Sequence, residues 1–189
     1  MAERFHELKI AGCTRQLPIL NLSDTEAIAA FIMLGDVELA ENCAKELAAK
    51  VPLETEIIVT AETKGIPLAE ELSRLLGLKR YVTARKSVKA YMEDPLCVED
   101  LSITTKGKQR LYITQEDVQR IKGKKVLLLD DVISKGGSMK ALQNLTETAG
   151  GIVIGQAAAV AEGAAAERKD IIFLASIPLF DAQSTSYDC

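Results

Sequence analysis

Apolar residues in this chain follow two rhythms. "EIIVTA" (56–61), "RYVTA" (80–84), "VLLL" (126–129), "GGIVIGQAAAVAEG" (150–163) and "KDIIFLASIP" (169–178) are short, nearly unbroken apolar runs. Strands covered on both faces read this way. Between them the spacing becomes helical. Val37, Leu39, Ala40, Cys43, Ala44, Leu47 and Val51 predict one helix, and Ile28, Phe31, Ile32 and Leu34 predict another before it, broken by Gly35-Asp36. "PLAEELSRLLG" (67–77) predicts a helix with Pro67 in its first turn and Gly77 as its stop. A further helix is expected from about Ser138 to Thr148. The stretch from Lys86 to about Leu101 is polar and reads as irregular, and "SITTKGKQRLYIT" (102–114), two β-forming runs around Lys-Gly-Lys, predicts a hairpin.

Alternating strands and helices of this kind predict an α/β fold with a mostly parallel central sheet flanked by helices. In such sheets ligands bind at the carboxyl ends of the strands. Both "ETKG" (62–65) and "DDVISKGGS" (130–138) fall there.

With 189 residues and 48% hydrophobic content the chain is long enough for one well-buried domain, and residues 1–189 are expected to form just one. A formal charge of −4 gives no global attraction to nucleic acid or to an anionic membrane, so any polyanion site must be local. The longest apolar runs fall far short of a membrane span, and "MAERFHELK" lacks a basic-then-apolar signal pattern, so a cytoplasmic protein is expected. Cys13, Cys43, Cys97 and Cys189 lie far apart with His6 as the lone histidine, which argues for free thiols rather than a zinc site.

The chemistry gathers after "VLLL". Two adjacent carboxylates, Asp130 and Asp131, close a buried strand and are costly there unless a ligand uses them. Ser134, Gly136, Gly137 and Ser138 follow at the mouth of a helix, where backbone N–H groups, hydroxyls and the helix dipole favour an anion. Neither the Walker pattern nor GxGxxG is present. Carboxylates repel phosphate, so they fit ligand hydroxyls beside it, and a sugar phosphate meets both demands. An ordinary capped strand-to-helix turn uses the same residue types, and the loop taken alone leaves both readings open.

"VLLLDDVISKGGS" resembles the phosphoribosyl pyrophosphate (PRPP) binding motif of the type I phosphoribosyltransferases. "VTAETKGIPLAEEL" is similar to their pyrophosphate loop and the helix after it, "YVTARK" to the strand ending in a basic pair, and "SITTKGKQRLYIT" to the hairpin beside the mobile loop. The resemblance implies that Asp130 and Asp131 receive the ribose hydroxyls and that Ser134, Lys135, Gly136, Gly137 and Ser138 surround the 5-phosphate. It also implies that Thr63, Lys64 and Gly65 face the pyrophosphate, with Arg85 and Lys86 neutralising its charge. Lys135 stands where many relatives carry Thr or Asn, and its side chain is read either against phosphate or toward solvent. The same resemblance implies Mg²⁺ held mainly by PRPP and water rather than by protein ligands. It further implies a homodimer, and displacement of pyrophosphate by a ring nitrogen of a nucleobase.

For the base, Ser134 replaces the Asp usual in hypoxanthine-guanine enzymes, and "ETKGI" is similar to segments of both adenine and xanthine enzymes. Gly163 stands near a position where xanthine enzymes carry Lys. "TRQLPILNL" (14–22) is similar to the N-terminal hood of adenine enzymes, placed at about 1–25. These features imply adenine as acceptor, with Glu62 assisting its protonation alongside the catalytic Asp130 and Asp131, and Leu17, Ile19 and Ile133 framing the ring; taken alone, Glu62 reads equally as a structural carboxylate at a strand end, and the apolar residues equally as ordinary core. "KAYMEDP" (89–95) departs from the adenine pattern, and its Glu93 and Asp94 are unexpected beside a pyrophosphate. Xanthine or another base as acceptor, and a PRPP-sensing regulator without catalysis, remain the alternatives.

Overall fold

The computed structural model describes residues 4–99 and 110–182. Its larger sheet has five strands in the order β10-β9-β8-β4-β5, all parallel. These are β4 (Ile57–Ala61), β5 (Val82–Ala84), β8 (Lys125–Ile133), β9 (Ile152–Glu162) and β10 (Ala175–Ile177). Four helices accompany the sheet: α1 (Val37–Ala48), α2 (Ile66–Leu75), α3 (Gln115–Ile121) and α4 (Gly137–Thr148). The α/β architecture expected from the apolar runs is present.

The side chains of β8 show why those runs were unbroken. Leu127 and Leu129 face one core with Ile58 of β4, Leu39 and Leu47 of α1, and Leu68 and Leu72 of α2. Val126 and Leu128 face the other, with Met139, Leu142 and Leu145 of α4 and Leu111 and Ile113. All four strand residues are fully buried, each contributing about 1.5–3 kcal/mol against exposure.

An antiparallel sheet of four strands, ordered β1-β2-β3-β11, stands beside this body. It contains β1 (Phe5–Ile10), β2 (Cys13–Asn21), β3 (Glu26–Ala29) and the short β11 (Phe180–Asp181). Its link to the body is specific. Arg15 on β2 donates from Nε to Asp36 Oδ2 at 2.7 Å and from Nη2 to Oδ1 at 3.0 Å, while Asp36 also caps α1 by accepting the Leu39 N–H. Cys13 and Cys43 are buried free thiols and Cys97 is an exposed one; Cys189 lies outside the described residues.

Two predicted elements differ. Residues 28–34 are not a helix: β3 ends at Ala29 and the chain continues without helical structure to Leu34. Ala27, Ala29, Phe31 and Met33 are buried while Ile28, Ala30, Ile32 and Leu34 are not, a period of two. Apolar residues on both faces had concealed that period. The other difference is β6 (Leu96–Glu99), which lies inside the stretch read as irregular and pairs antiparallel with β7 (Arg110–Ile113). Only β7 of the expected 102–114 hairpin falls on described residues; 102–109 lie outside them. No helix among the described residues is long and apolar enough to cross a membrane.

Candidate functional site

The strand ends form a cleft of about 470 Å³ along the carboxyl edge of the parallel sheet. Each strand delivers different chemistry. β8 continues through the two carboxylates, with Asp130 opposite Ala158 and Ile133 opposite Ala161, so both Asp residues are fixed by a strand and not by a loop. Asp131 is 3% exposed. Its backbone N–H donates to Asp130 Oδ1 at 2.9 Å. Burial, reinforced by the neighbouring charge of Asp131, pushes the Asp130 carboxyl up to about 7.

β4 is followed by Glu62, whose peptide to Thr63 is cis, and then by Lys64 and Gly65 at the mouth of α2. Lys64 Nζ stands 3.1 Å from Asp131 Oδ2, a charge contact without hydrogen-bond alignment. Thr63, Lys64 and Lys86 line the cleft together with Asp130 and Asp131. Gly65 makes the approach possible: a Cβ there would stand 3.2 Å from Asp130 Cα.

Glu62 is tied into the basic edge. It accepts from the Lys86 backbone N–H at 2.6 Å, from Lys89 Nζ at 3.4 Å and from Arg85 Nη1 at 3.4 Å. Burial alone would raise its carboxyl, but these three donors outweigh burial and hold it below the usual carboxylate range. Lys89 was not singled out from the sequence, because its role depends on a contact 27 residues away. Arg85 is further fixed by a backbone bridge to Tyr112 of β7.

After β8 the chain makes a tight loop. Gly136 takes φ +81°, a left-handed conformation suited to glycine, and opens α4 with no side-chain cap of its own. The unpaired first N–H groups of a helix form an anion cradle. Ser134, Gly136, Gly137 and Ser138 line a small cavity there of about 50 Å³ together with Ile133. Arg168 approaches the loop, with Nη1 3.3 Å from where a Gly136 Cβ would lie, while its Nε and Nη2 donate to Asp170 at 3.0 and 2.6 Å. Lys135 turns away: it is largely exposed, with its ammonium 3.7 Å from Glu26.

The framing residues fall elsewhere than expected. Leu17 is buried in the core and Ile19 packs against it, while Ile133 belongs to the opposite core and lines the small cavity at the start of α4. None of the three lines the main cleft. Its apolar wall is Ile28, Ala29, Ala30, Phe31 and Ile32 with Val132. Glu162, at the end of β9, faces the same space and was likewise missed.

Residues 34–188 match the family model described as the phosphoribosyl transferase domain. The hypoxanthine/guanine phosphoribosyltransferase of Ferroglobus placidus is 29% identical over 164 residues, covering 85% of this chain and 83% of that protein. The adenine phosphoribosyltransferase of Corynebacterium efficiens is 31% identical over 142 residues, or 75% and 66% of the two chains. The match with the hypoxanthine/guanine phosphoribosyltransferase of Methanocaldococcus vulcanius is 38% identical but spans 49% of this chain and 46% of that relative, about half its length. Among solved structures, adenine phosphoribosyltransferase from Thermoanaerobacter pseudethanolicus superposes with a TM-score of 0.64 at 25% identity, covering 76% of this chain and 84% of that one. With a strand-borne acidic pair, a glycine-opened helix and a family match over most of its length, the chain belongs to the phosphoribosyl transferase domain family.

Proposed function

We propose that this protein transfers the 5-phosphoribosyl group of PRPP to a ring nitrogen of a purine, adenine first among them, and releases pyrophosphate in a purine-salvage reaction. The observation that carries the reading is the side-by-side placement of Asp130 and Asp131 with an anion cradle on one side and Lys64 and Lys86 on the other. A 5-phosphate, a ribose and a pyrophosphate need these three environments in this order.

In this reading Asp130 and Asp131 accept hydrogen bonds from the ribose hydroxyls and hold the sugar while positive charge develops at C1. The helix N-terminus at Gly137 with Ser134 and Ser138 fixes the phosphate. Thr63, Lys64 and Gly65 receive the leaving pyrophosphate, with Lys86 across the cleft. Arg85 and Lys89 act through Glu62, which they and the Lys86 N–H keep ionised. An ionised Glu62 is a proton acceptor or an organiser of the basic edge, rather than a standing proton donor to the base. The apolar wall from Ile28 to Ile32 gives a planar ring an apolar surface to pack against.

Magnesium belongs to the same proposal. Asp131 Oδ2 is buried without an aligned hydrogen-bond donor, and with Asp130 it supplies hard oxygen atoms that fit a divalent cation shared with ligand oxygens. Among the described residues no cluster of three or more ligating side chains forms a cage. When bound, the ion supplies positive charge to the pyrophosphate oxygens. A cytoplasmic homodimer completes the reading, by analogy with the family.

Transfer to a 6-oxopurine is the second reading, favoured by relatives named hypoxanthine/guanine phosphoribosyltransferases. The deciding experiment is pyrophosphate release from PRPP and Mg²⁺ with adenine, hypoxanthine, guanine, xanthine or orotate offered singly. Release with adenine supports the first reading and release with hypoxanthine or guanine alone the second. Calorimetric binding of PRPP without release on any base would replace both with a sensor.

A further inference from the structure

Across the carboxyl edge of the sheet, charge is distributed unevenly. Lys64 and Lys86 stand at the ends of β4 and β5, on one side of the Asp130–Asp131 pair. β9 lies on the other side, and Glu162 at its end lines the cleft there, beside the apolar wall of Ile28 to Ile32 and Val132. A displacement at C1 of the ribose sends the leaving oxygen and the incoming nitrogen to opposite faces of that carbon. The cations mark the leaving side, so the acceptor is left with the β9 side.

On that side Glu162 is the one ionisable side chain among the described residues that line the main cleft. No described residue gives its carboxylate a hydrogen bond or an ion pair within 4.0 Å. Burial raises its carboxyl; Lys64 and Lys135 oppose that rise and Glu26 adds to it. A half-buried carboxylate that faces the cleft and has no protein donor is free to accept one from a ligand, at the cost of displacing water. Backbone pairing with Ile177 of β10 holds the strand end in place, so the side chain is presented from a rigid element.

We propose that Glu162 reads the acceptor base, accepting a hydrogen bond from an exocyclic amino group and thereby selecting amino-bearing purines over those with an oxo group at the same edge. This rests on the transferase reading above. An oxo group set against Glu162 brings lone pairs to a carboxylate and leaves both unsatisfied, the situation in which polar pockets discriminate most strongly. Glu62 is a weaker candidate for the same task, because its oxygens are already occupied by Lys86, Lys89 and Arg85 on the leaving-group side.

The test compares kcat/KM for adenine and for hypoxanthine in the wild-type protein, Glu162→Gln and Glu162→Asp, with PRPP affinity measured by calorimetry on each. Wild type is expected to favour adenine. In Glu162→Gln the amide can turn its NH₂ toward an oxo group, so the adenine-to-hypoxanthine ratio is expected to fall by about tenfold or more at unchanged PRPP affinity. Glu162→Asp keeps the charge but shortens the reach; it is expected to lose adenine turnover without gaining hypoxanthine, and it decides the matter if the Gln variant does not fold. A wild type that favours adenine, with the ratio unmoved in the variants, overturns the role of Glu162 and leaves the adenine reading standing. A wild type that favours hypoxanthine overturns both. Loss of PRPP affinity in the variants equal to the loss of turnover marks a structural residue and overturns the assignment.

Discussion

Gly65 packs against Asp130 with no room for a side chain between them. A Cβ on residue 65 would stand 3.2 Å from Asp130 Cα and 2.6 Å from Thr60 Oγ1, which is itself fully buried on β4. The loop after β4 and the acidic end of β8 are thus in close contact, and their spacing is set by a missing methyl group. Gly65→Ala is expected to push the loop outward, costing about 1–3 kcal/mol of stability and lowering kcat/KM for PRPP about 100-fold, as misplacements near 1 Å do. Thermal melts and pyrophosphate release check both numbers, and wild-type kinetics in the Ala variant would show the spacing to be unimportant.

Asp130 ties stability to pH in a direction that opposes function. Its carboxyl lies at about 7 in the folded protein against an ordinary 3.8, so between those values the folded state holds a proton that the unfolded chain has lost. The contribution to stability is full below about 3.8 and disappears as pH rises through about 7. Asp130→Asn is expected to remove this dependence, so that its melting temperature exceeds that of the ligand-free wild type at pH 8 and the difference shrinks toward pH 4. The same variant is expected to lose turnover, since an amide cannot replace a carboxylate facing ribose hydroxyls. In the wild type, kcat/KM for PRPP should rise with pH as Asp130 ionises. An Asn variant melting below wild type at pH 8 would contradict the assignment.

How much of this was readable from the chain depends on where each signal lay. The run ending in Asp130 and Asp131 was legible because a strand buried on both faces is apolar throughout, and because glycines and hydroxyls after it carry their chemistry within nine residues. Residues 28–34 misled for a related reason. Phe31 and Met33 point into the core while Ile28 and Ile32 remain accessible beside or along the cleft, so apolar side chains on both faces of an extended segment imitated a helical stripe. Read as a helix, that segment was left out of the candidate site, while Leu17 and Ile19, named in its place, lie in and against the core. The strand Leu96–Glu99 was hidden by polar flanks and is specified mainly by pairing with residues 110–113. Lys89 and Glu162 have no local signature, because each matters only through what the fold brings beside it.

The basic edge predicts a difference between two ligands. Lys86 lines the cleft with an exposed side chain, whereas Lys64 is engaged with Asp131 at 3.1 Å. Lys86→Ala is expected to weaken pyrophosphate about three- to tenfold and to leave ribose 5-phosphate nearly unchanged, the modest size reflecting solvent screening. Lys64→Ala also strips Asp131 of its counter-charge and is expected to weaken both ligands. Calorimetric titration of each variant with each ligand separates the cases, and equal losses in Lys86→Ala would remove that residue from the pyrophosphate site.

The remaining prediction concerns how the antiparallel sheet is held over the cleft. Asp36 serves two structures at once, capping α1 through the Leu39 N–H at 3.1 Å and gripping the Arg15 guanidinium on β2 through both oxygens. β2 pairs with β3, which leads directly into the apolar wall at Ile28 to Ile32, so the Arg15 contact adds to the core packing of Leu17, Ala29 and Phe31 in holding the wall against the body of the protein. Arg15→Ala is expected to cost about 1 kcal/mol, because both side chains remain partly exposed to solvent. Asp36→Ala is expected to cost about 1 kcal/mol more through loss of the cap. The Arg15 guanidinium holds Asp36 below the usual carboxylate range, so this stabilisation is present above about pH 3.8 and is lost as pH falls through the lowered value. Kinetics carry the sharper consequence. With the clamp removed, the wall loses its register while the PRPP loops do not, so Arg15→Ala should raise KM for the base several-fold at constant KM for PRPP, and a parallel rise in both would mean that the sheet does not position the acceptor.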